Sequence, residues 1–326
     1  MRLRITRFLR GLVVGFAVLT AGFVPVAMAD APSMARKQAP GYYRFMHGEF
    51  EVTVLFDGAF DVDSKLLLNA TQPELRQLLA QNDIDGTVTK TAVNAWLINT
   101  GKNLVLVDGG CGALFGPKMG KLMENLKASG YTPEQVDTIL LTHMHGDHIG
   151  GLVDATGKIL FPNATVYANQ AENDFWLSDK NAAAAKTDML KNGFKMAQSS
   201  SAPYRDAKKW KTFRHKDEVL PGILAISIPG HTPGHTMYRL KSGELRLFIF
   251  GDVVHNYAVQ FARPEVAIEF DVDPKQAVIT RYKLFDYANK YQWLVAGAHL
   301  PYPGIGYIRS KGDGSYAWIP IQLLPE

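Results

Sequence analysis

An apolar strand that runs straight into a cluster of metal-binding side chains constrains this chain more than any other feature. Asp137–Thr142 (DTILLT) has the length and composition of a short buried strand. Directly behind it comes His143-Met144-His145-Gly146-Asp147-His148, three imidazoles and a carboxylate within six residues. A lone histidine has many roles, and His47 and His215 are read as ordinary surface or core residues. Four such groups at H-x-H-x-D-H spacing form a donor set for metal ions, since a tight turn can send alternate side chains to two neighbouring ions.

The rest of the chain alternates strands and helices, with no internal repeat. Residues 50–56 read as a strand ended by Asp57-Gly58, and 92–99 pairs with 104–107 around Gly101. A helix is expected over about 118–128, and Thr132-Pro133-Glu134-Gln135 is a capping box. A strand over 164–168 and a helix over 170–178 precede a polar stretch, 181–215, read as a helical cap excursion. Strands at 223–228, 245–250 and 293–296 end in Pro229-Gly230-His231, Gly251-Asp252 and Gly297-Ala298-His299. A helix from Asp273-Pro274 to about Tyr291 carries Val278, Tyr282, Phe285 and Ala288 on one stripe. Every candidate ligand thus follows the C-terminal end of a strand, where α/β architectures place functional groups. The fold class expected is α/β, two sheets sandwiched between helices. His231, Asp252 and His299 raise the donors to seven, enough for two metal ions sharing one bridging carboxylate.

Residues 1–29 read as a cleaved signal peptide. Arg2, Arg4, Arg7 and Arg10 precede an apolar run from Gly11 to Val26, and Ala27-Met28-Ala29 offers a small-x-small cleavage site before Asp30. The run is near the lower length limit for a membrane span, and Gly22 and Pro25 lie near its end. No paired-arginine motif is present, so the general secretory route and a periplasmic or secreted destination are expected, with no stable span after cleavage. Residues 30–48 read as a loosely structured leader, and 49–326 as one domain. The four arginines supply the whole net charge of +4, leaving 31 basic against 31 acidic residues. Without a basic run, nucleic acid is not an expected partner. Cys111 is the only cysteine, so no internal disulfide forms, and packing and bound metal are expected to supply stability.

His143–His148 matches the H-x-H-x-D-H signature of the metallo-β-lactamase fold superfamily, and His231-Thr232-Pro233-Gly234-His235, Gly251-Asp252 and Ala298-His299 follow in that superfamily's order. From about residue 45 to 321 the chain most resembles methyl parathion hydrolase and its secreted relatives. The segments carrying that likeness are Leu114-Phe115-Gly116-Pro117, Asp174-Phe175-Trp176-Leu177-Ser178, Ala258-Val259-Gln260-Phe261 and His299-Leu300-Pro301-Tyr302-Pro303-Gly304-Ile305-Gly306. The resemblance implies an αββα sandwich of two mixed sheets flanked by helices. It also implies two divalent ions, zinc, with His143, His145 and His231 on one, Asp147, His148 and His299 on the other, and Asp252 bridging. Asp108 and His235 would stand behind the ligands. Phe115, Trp176 and Phe194 match pocket aromatics of the family, and a homodimer is its usual assembly.

The chemistry implied is hydrolysis of a small-molecule ester by a water that two adjacent cations acidify, with a pKa near about 7. Asp147 or Asp252 could carry the proton. Asp252 argues against a dedicated β-lactamase, and His145 against the di-iron redox branch. Near-neutral charge and export argue against RNA processing, and export against glutathione thioesters. Seven ligands around two ions leave room for water, against a non-catalytic periplasmic metal-binding module. Organophosphate triesters or aryl esters are the first substrate reading. N-acyl-homoserine lactones are the alternative. Many lactonases of this fold place a tyrosine three residues after the bridging Asp, and here that position is His255, with Tyr257 two further on. Either could donate a hydrogen bond to a substrate carbonyl.

Overall fold

Alternation within single strands decides the layering. In Leu104–Val107, Val105 and Val107 face one hydrophobic core while Leu104 and Leu106 face another. In Leu245–Ile249, Leu247 and Ile249 face that first core and Phe248 a third. A strand apolar on both faces must be covered on both, and the chain covers each sheet with the other on one side and helices on the other.

The structure, a computed structural model, describes Ala31 and residues 33–324. The expected signal segment 1–29 lies outside the described residues. Residues 33–39 have no regular secondary structure, and the domain occupies Pro40–Glu326. Its first half contains β1 (Tyr42–His47), β2 (Phe50–Asp63), the short β3 (Leu67–Leu68), β4 (Val88–Asn99), β5 (Leu104–Val107), β6 (Thr138–Leu140), β7 (Thr165–Asn169) and β8 (Trp210–Phe213). Its second half contains β9 (Glu218–Leu220), β10 (Ile223–Ser227), β11 (Thr236–Ser242), β12 (Leu245–Ile249), β13 (Ala267–Ile268), β14 (Leu294–Ala296), β15 (Ile305–Ser310) and β16 (Tyr316–Pro320). The helices are α1 (Gln72–Ala80), α2 (Leu122–Ala128), α3 (Gly146–Ile149), α4 (Gln170–Trp176), α5 (Asp179–Ala184), α6 (Asp188–Asp206), α7 (Tyr257–Gln260) and α8 (Pro274–Lys290).

One seven-stranded sheet has the order β1-β2-β4-β5-β6-β7-β8 and the other β16-β15-β14-β12-β11-β10-β9. Both are mixed: β5 to β8 run parallel in the first, and β12 pairs β14 in parallel in the second. The inter-sheet core holds Val54, Trp96, Val107, Tyr238, Ile249 and Ala296. Outside it, Leu126, Trp176 and Phe194 lie under the first sheet's helices, and Phe285 and Ala288 of α8 under the second's. This is the αββα sandwich. Among the described residues no helix is long and apolar enough to cross a membrane.

Several boundaries differ from expectation for identifiable reasons. The leader ends early, because Tyr42–His47 forms β1 antiparallel to β2 through the two-residue turn Gly48-Glu49, with Gly48 at φ +64°. β2 does not stop at Asp57-Gly58 but passes through a bulge there and runs on to Asp63. The bulge turns the buried Asp57 carboxylate onto the N–H groups of Cys111 (2.9 Å), Gly120 (3.2 Å) and Leu122 (2.9 Å). Those contacts, and Gly120 at φ +76°, hold back the helix expected from 118 until Leu122. The capping box at Thr132 closes only a single 3-10 turn, Pro133–Gln135, because Val136 is already extended. The excursion 181–215 is helical to Asp206, and then β8 rejoins the first sheet beside β7. On α8 the expected Phe285 and Ala288 are buried, but Ala277 and Arg281 take the places expected of Val278 and Tyr282, and Arg281 donates to the carbonyls of Val253, Pro264 and Val266.

Asp57→Ala leaves three backbone donors without their carboxylate, so it is expected to cost on the order of 3 kcal/mol in urea unfolding of the protein. A loss below about 1 kcal/mol would show that the 111–122 loop does not depend on it.

Candidate metal centre

The loops after β6, β12 and β14 and before β11 meet at one end of the sandwich. Past β6, the Thr142 amide donates to Asp108 Oδ1 at 2.8 Å and the Met144 amide to Glu172 Oε2 at 3.1 Å. His145 then sits at the N-terminus of α3, which carries Asp147 and His148. The expected tight turn is therefore one turn of helix. Gly146 opens it because a Cβ there would lie 2.7 Å from Met196 Sδ and 3.1 Å from the Phe115 ring. After β12, Gly251 turns at φ +56°, where a Cβ would meet His235 Nε2 at 2.6 Å, and presents Asp252.

Asp252 is buried at the middle of the cluster. Its Oδ2 lies 2.9 Å from His299 Nε2, 3.3 Å from His255 Nε2, 3.4 Å from His231 Nε2 and 3.6 Å from His143 Nε2. Its Oδ1 lies 3.2 Å from His148 Nε2. The donor atoms of His143, His145, His231 and Asp252 all lie within 4.8 Å of one another, and so do those of Asp147, His148, Asp252 and His299. The seven side chains named from the sequence thus fall into the two sets named, with Asp252 common to both.

The outer nitrogens fix which way the imidazoles present their lone pairs. His148 Nδ1 donates to Asp108 Oδ2 at 2.9 Å, His231 Nδ1 to Asp271 Oδ1 at 2.8 Å and His299 Nδ1 to the Ala92 carbonyl at 2.8 Å. Their Nε2 lone pairs then converge, and His231 Nε2 approaches His143 Nε2 at 3.2 Å and His145 Nδ1 at 3.0 Å. Lone pairs facing one another need a cation between them. Asp252 Oδ1 and His148 Nε2, buried and close, make no aligned hydrogen bond, as expected of metal donors. The protein alone answers with protons. Burial pulls His231 and His299 down, but Asp252 with Asp271, and Asp252 with Asp147, outweigh it and raise them to about 9 and about 10. Burial holds His145 down at about 3 and His255 at about 4. The donor set fits divalent metal ions held by nitrogen and carboxylate oxygen.

The residues behind the ligands are equally fixed. Asp108 has left-handed backbone, φ +63°, unusual for a non-glycine residue, and its carboxylate holds Thr142 N–H and O–H as well as His148. His235 Nε2 accepts the Asp252 amide at 3.1 Å. His255 lines the open side of the centre, stacked 5.1 Å from His299. A cavity of about 440 Å³ opens above, lined by His145, Asp147, Asp252, His255 and His299 at its floor and by Phe115 and Trp176 on its walls. Phe194 and Tyr257 do not line it: Phe194 packs beneath Trp176 with ring centres 4.8 Å apart, and Tyr257 packs into two apolar clusters around α7. The sequence reading overlooked Phe60, Phe270, Met189, Leu190 and Met196 in the walls, and Asp271, Glu172 and Asp57 as supports. None lies in a motif, and Asp57-Gly58 carried only a turn signal.

The metallo-β-lactamase superfamily model matches residues 88–313. The chain belongs to that superfamily. A solved structure described as the hydrolase AbOPH of the β-lactamase superfamily superposes with a TM-score of 0.84 at 42% identity, over 89% of this chain and 100% of that one. AidC, a dizinc quorum-quenching lactonase solved with its product N-hexanoyl-L-homoserine, superposes at 0.80 with 27% identity, over 87% and 99%. An N-acyl homoserine lactonase from a Bacillus species is 27% identical over 208 residues, 54% of this chain and 72% of that one. A metallo-hydrolase of Mycobacterium bovis is 25% identical over 215 residues, and the match spans 66% of its length. The protein is a metal-dependent hydrolase of this superfamily.

Asp252→Ala removes the carboxylate common to both sets. It is expected to abolish hydrolase activity and to bring metal content, read by elemental mass spectrometry, below half that of the unaltered protein. His215→Ala, at an exposed histidine outside the centre, is expected to change neither. Equal metal content in the two variants would remove Asp252 from the site.

Proposed function

We propose that this protein hydrolyses uncharged esters bearing an apolar group, with N-acyl homoserine lactones as the leading substrate class, at a centre of two zinc ions. The carrying observation is the contrast between floor and wall of the cavity. Metal donors form the floor, whereas Phe60, Phe115, Trp176, Met189, Leu190 and Phe270 supply the wall, and no Lys or Arg lines it among the described residues. An anionic substrate would find no side-chain cation there and would face Glu269. An uncharged amide-linked acyl chain suits such a wall. AidC and the Bacillus lactonase, relatives over most of this domain, support the lactone reading.

Metal ions bound here would supply Lewis acidity and an acidified water. The chain's own residues do the rest. Asp252 and Asp147 hold carboxylate oxygens at the floor, where a proton released by the nucleophile can be taken up. His255, between Asp252 and the cavity, is placed to hydrogen-bond the substrate's carbonyl oxygen. Phe60, Trp176 and Phe270 meet His299, His145 and His255 edge-on, with ring centres 5.5, 5.2 and 5.8 Å apart, and keep water off the ligand edges.

A second reading, aryl esters and organophosphate triesters as handled by methyl parathion hydrolase, is favoured by these same rings, which suit a flat aromatic leaving group. The basic and apolar N-terminal segment supports placing either activity outside the cytoplasm.

A chain-length series separates wall from floor. Each methylene buried against the wall contributes about 0.8 kcal/mol, so kcat/KM is expected to rise on the order of 100-fold from the butanoyl to the octanoyl lactone. An aryl ester and a phosphotriester assayed alongside rank the second reading. A flat series, or preference for a carboxylate-bearing β-lactam, would contradict the proposal.

A further inference from the structure

Asp271 lies in the loop between β13 and α8, outside every motif that marks the metal ligands. Its side chain is fully buried, and Oδ1 accepts from His231 Nδ1 at 2.8 Å. Oδ2 accepts from the Ile268 amide at 3.2 Å, so the carboxylate cannot rotate away. The backbone on either side is tied to the ligand it serves: Val272 N–H donates to the His231 carbonyl at 2.8 Å, and Asp273 N–H to the Gly230 carbonyl at 3.0 Å. Beneath, the buried Arg281 binds the carbonyls of Val253 and Val266 and so pins the residue after Asp252 and the residue that leads into β13.

The two donor sets are supported in parallel. In the set of His143, His145 and His231, only His231 has a carboxylate behind it. His143 Nδ1 meets the Thr142 hydroxyl at 3.1 Å. In the other set, His148 is backed by Asp108 and His299 by a carbonyl. Each set therefore has one carboxylate–imidazole pair. We infer that Asp271 is the positioning residue for the ion held by His143, His145 and His231, as Asp108 is for the ion held by Asp147, His148 and His299. Its negative charge raises the basicity of His231 Nε2 and holds the ring in the metal-binding tautomer. The inference rests on the metal-dependent hydrolase reading, and the experiment below keeps the two apart.

Chelator competition on the zinc-loaded chain gives a dissociation constant for each ion. Asp271→Asn keeps shape and removes charge, and is expected to weaken one ion about 10- to 100-fold and leave the other in place. Asp108→Asn is expected to weaken the other ion. The double variant then weakens both, because the two carboxylates act on different sites. Melting of the metal-free proteins controls for packing, and Asp271→Glu, which keeps charge but displaces it, is read in the same way if the Asn variant does not fold. Unaltered protein that takes up no zinc overturns the hydrolase reading itself. Two ions in the unaltered protein, with both constants unchanged in the Asp271 variants, overturn only the role of Asp271. So does a double variant in which a single constant moves.

Discussion

The structure turns on one carboxylate. Asp252 lies within 3.6 Å of five imidazole nitrogens, buried from water, and belongs to both donor sets. A buried anion surrounded by nitrogen lone pairs is untenable without positive charge between them. In the chain alone, the carboxylates raise the affinity of His148, His231 and His299 for protons against the pull of burial. Divalent cations provide that positive charge more fully, which is why the centre is read as a metal site rather than a polar core network. The supports follow from that need: Asp108, Asp271 and the Ala92 carbonyl each occupy the outer nitrogen of a ligand and turn its inner one towards Asp252.

The sandwich exists to bring those loops to one end. β5, β6 and β7 run parallel, so the loops after them emerge on the same side, and β12 and β14 repeat this in the second sheet. Asn94 of β4 stitches the halves together, its Nδ2 reaching the carbonyls of Ala298 (3.1 Å) and Leu300 (2.9 Å) on either side of His299. Helices α4 and α6 and the loop before α8 add much of the apolar wall, from which substrate selectivity is proposed to arise.

Much of this was legible because the ligands lie where two local signals coincide, a short apolar strand and a cluster of metal-type side chains. His143–His148 satisfied both signals, whereas His231, Asp252 and His299 each follow a strand singly and took their ligand roles from the family resemblance. What escaped had only long-range causes. Asp271 is 40 residues from His231, Glu172 is 62 from Gly234, and Asp57 is 54 from Cys111. A carboxylate that supports a distant backbone or ring has no spacing pattern of its own. Phe194 and Trp176 are both buried aromatics, but only Trp176 lies in a closely matching segment and only Trp176 reaches the cavity, since Phe194 stands behind it. Periodicity placed α8 and its buried Phe285 and Ala288 but named Val278 and Tyr282 where Ala277 and Arg281 are buried, because the buried Arg281 is charged and apolar counting passes over it.

Anomalous X-ray scattering at the zinc edge, from crystals of the zinc-loaded protein, tests the central claim most directly. The account predicts two peaks flanking Asp252, one among His143, His145 and His231 and the other among Asp147, His148 and His299. A single peak, or peaks remote from Asp252, would contradict it.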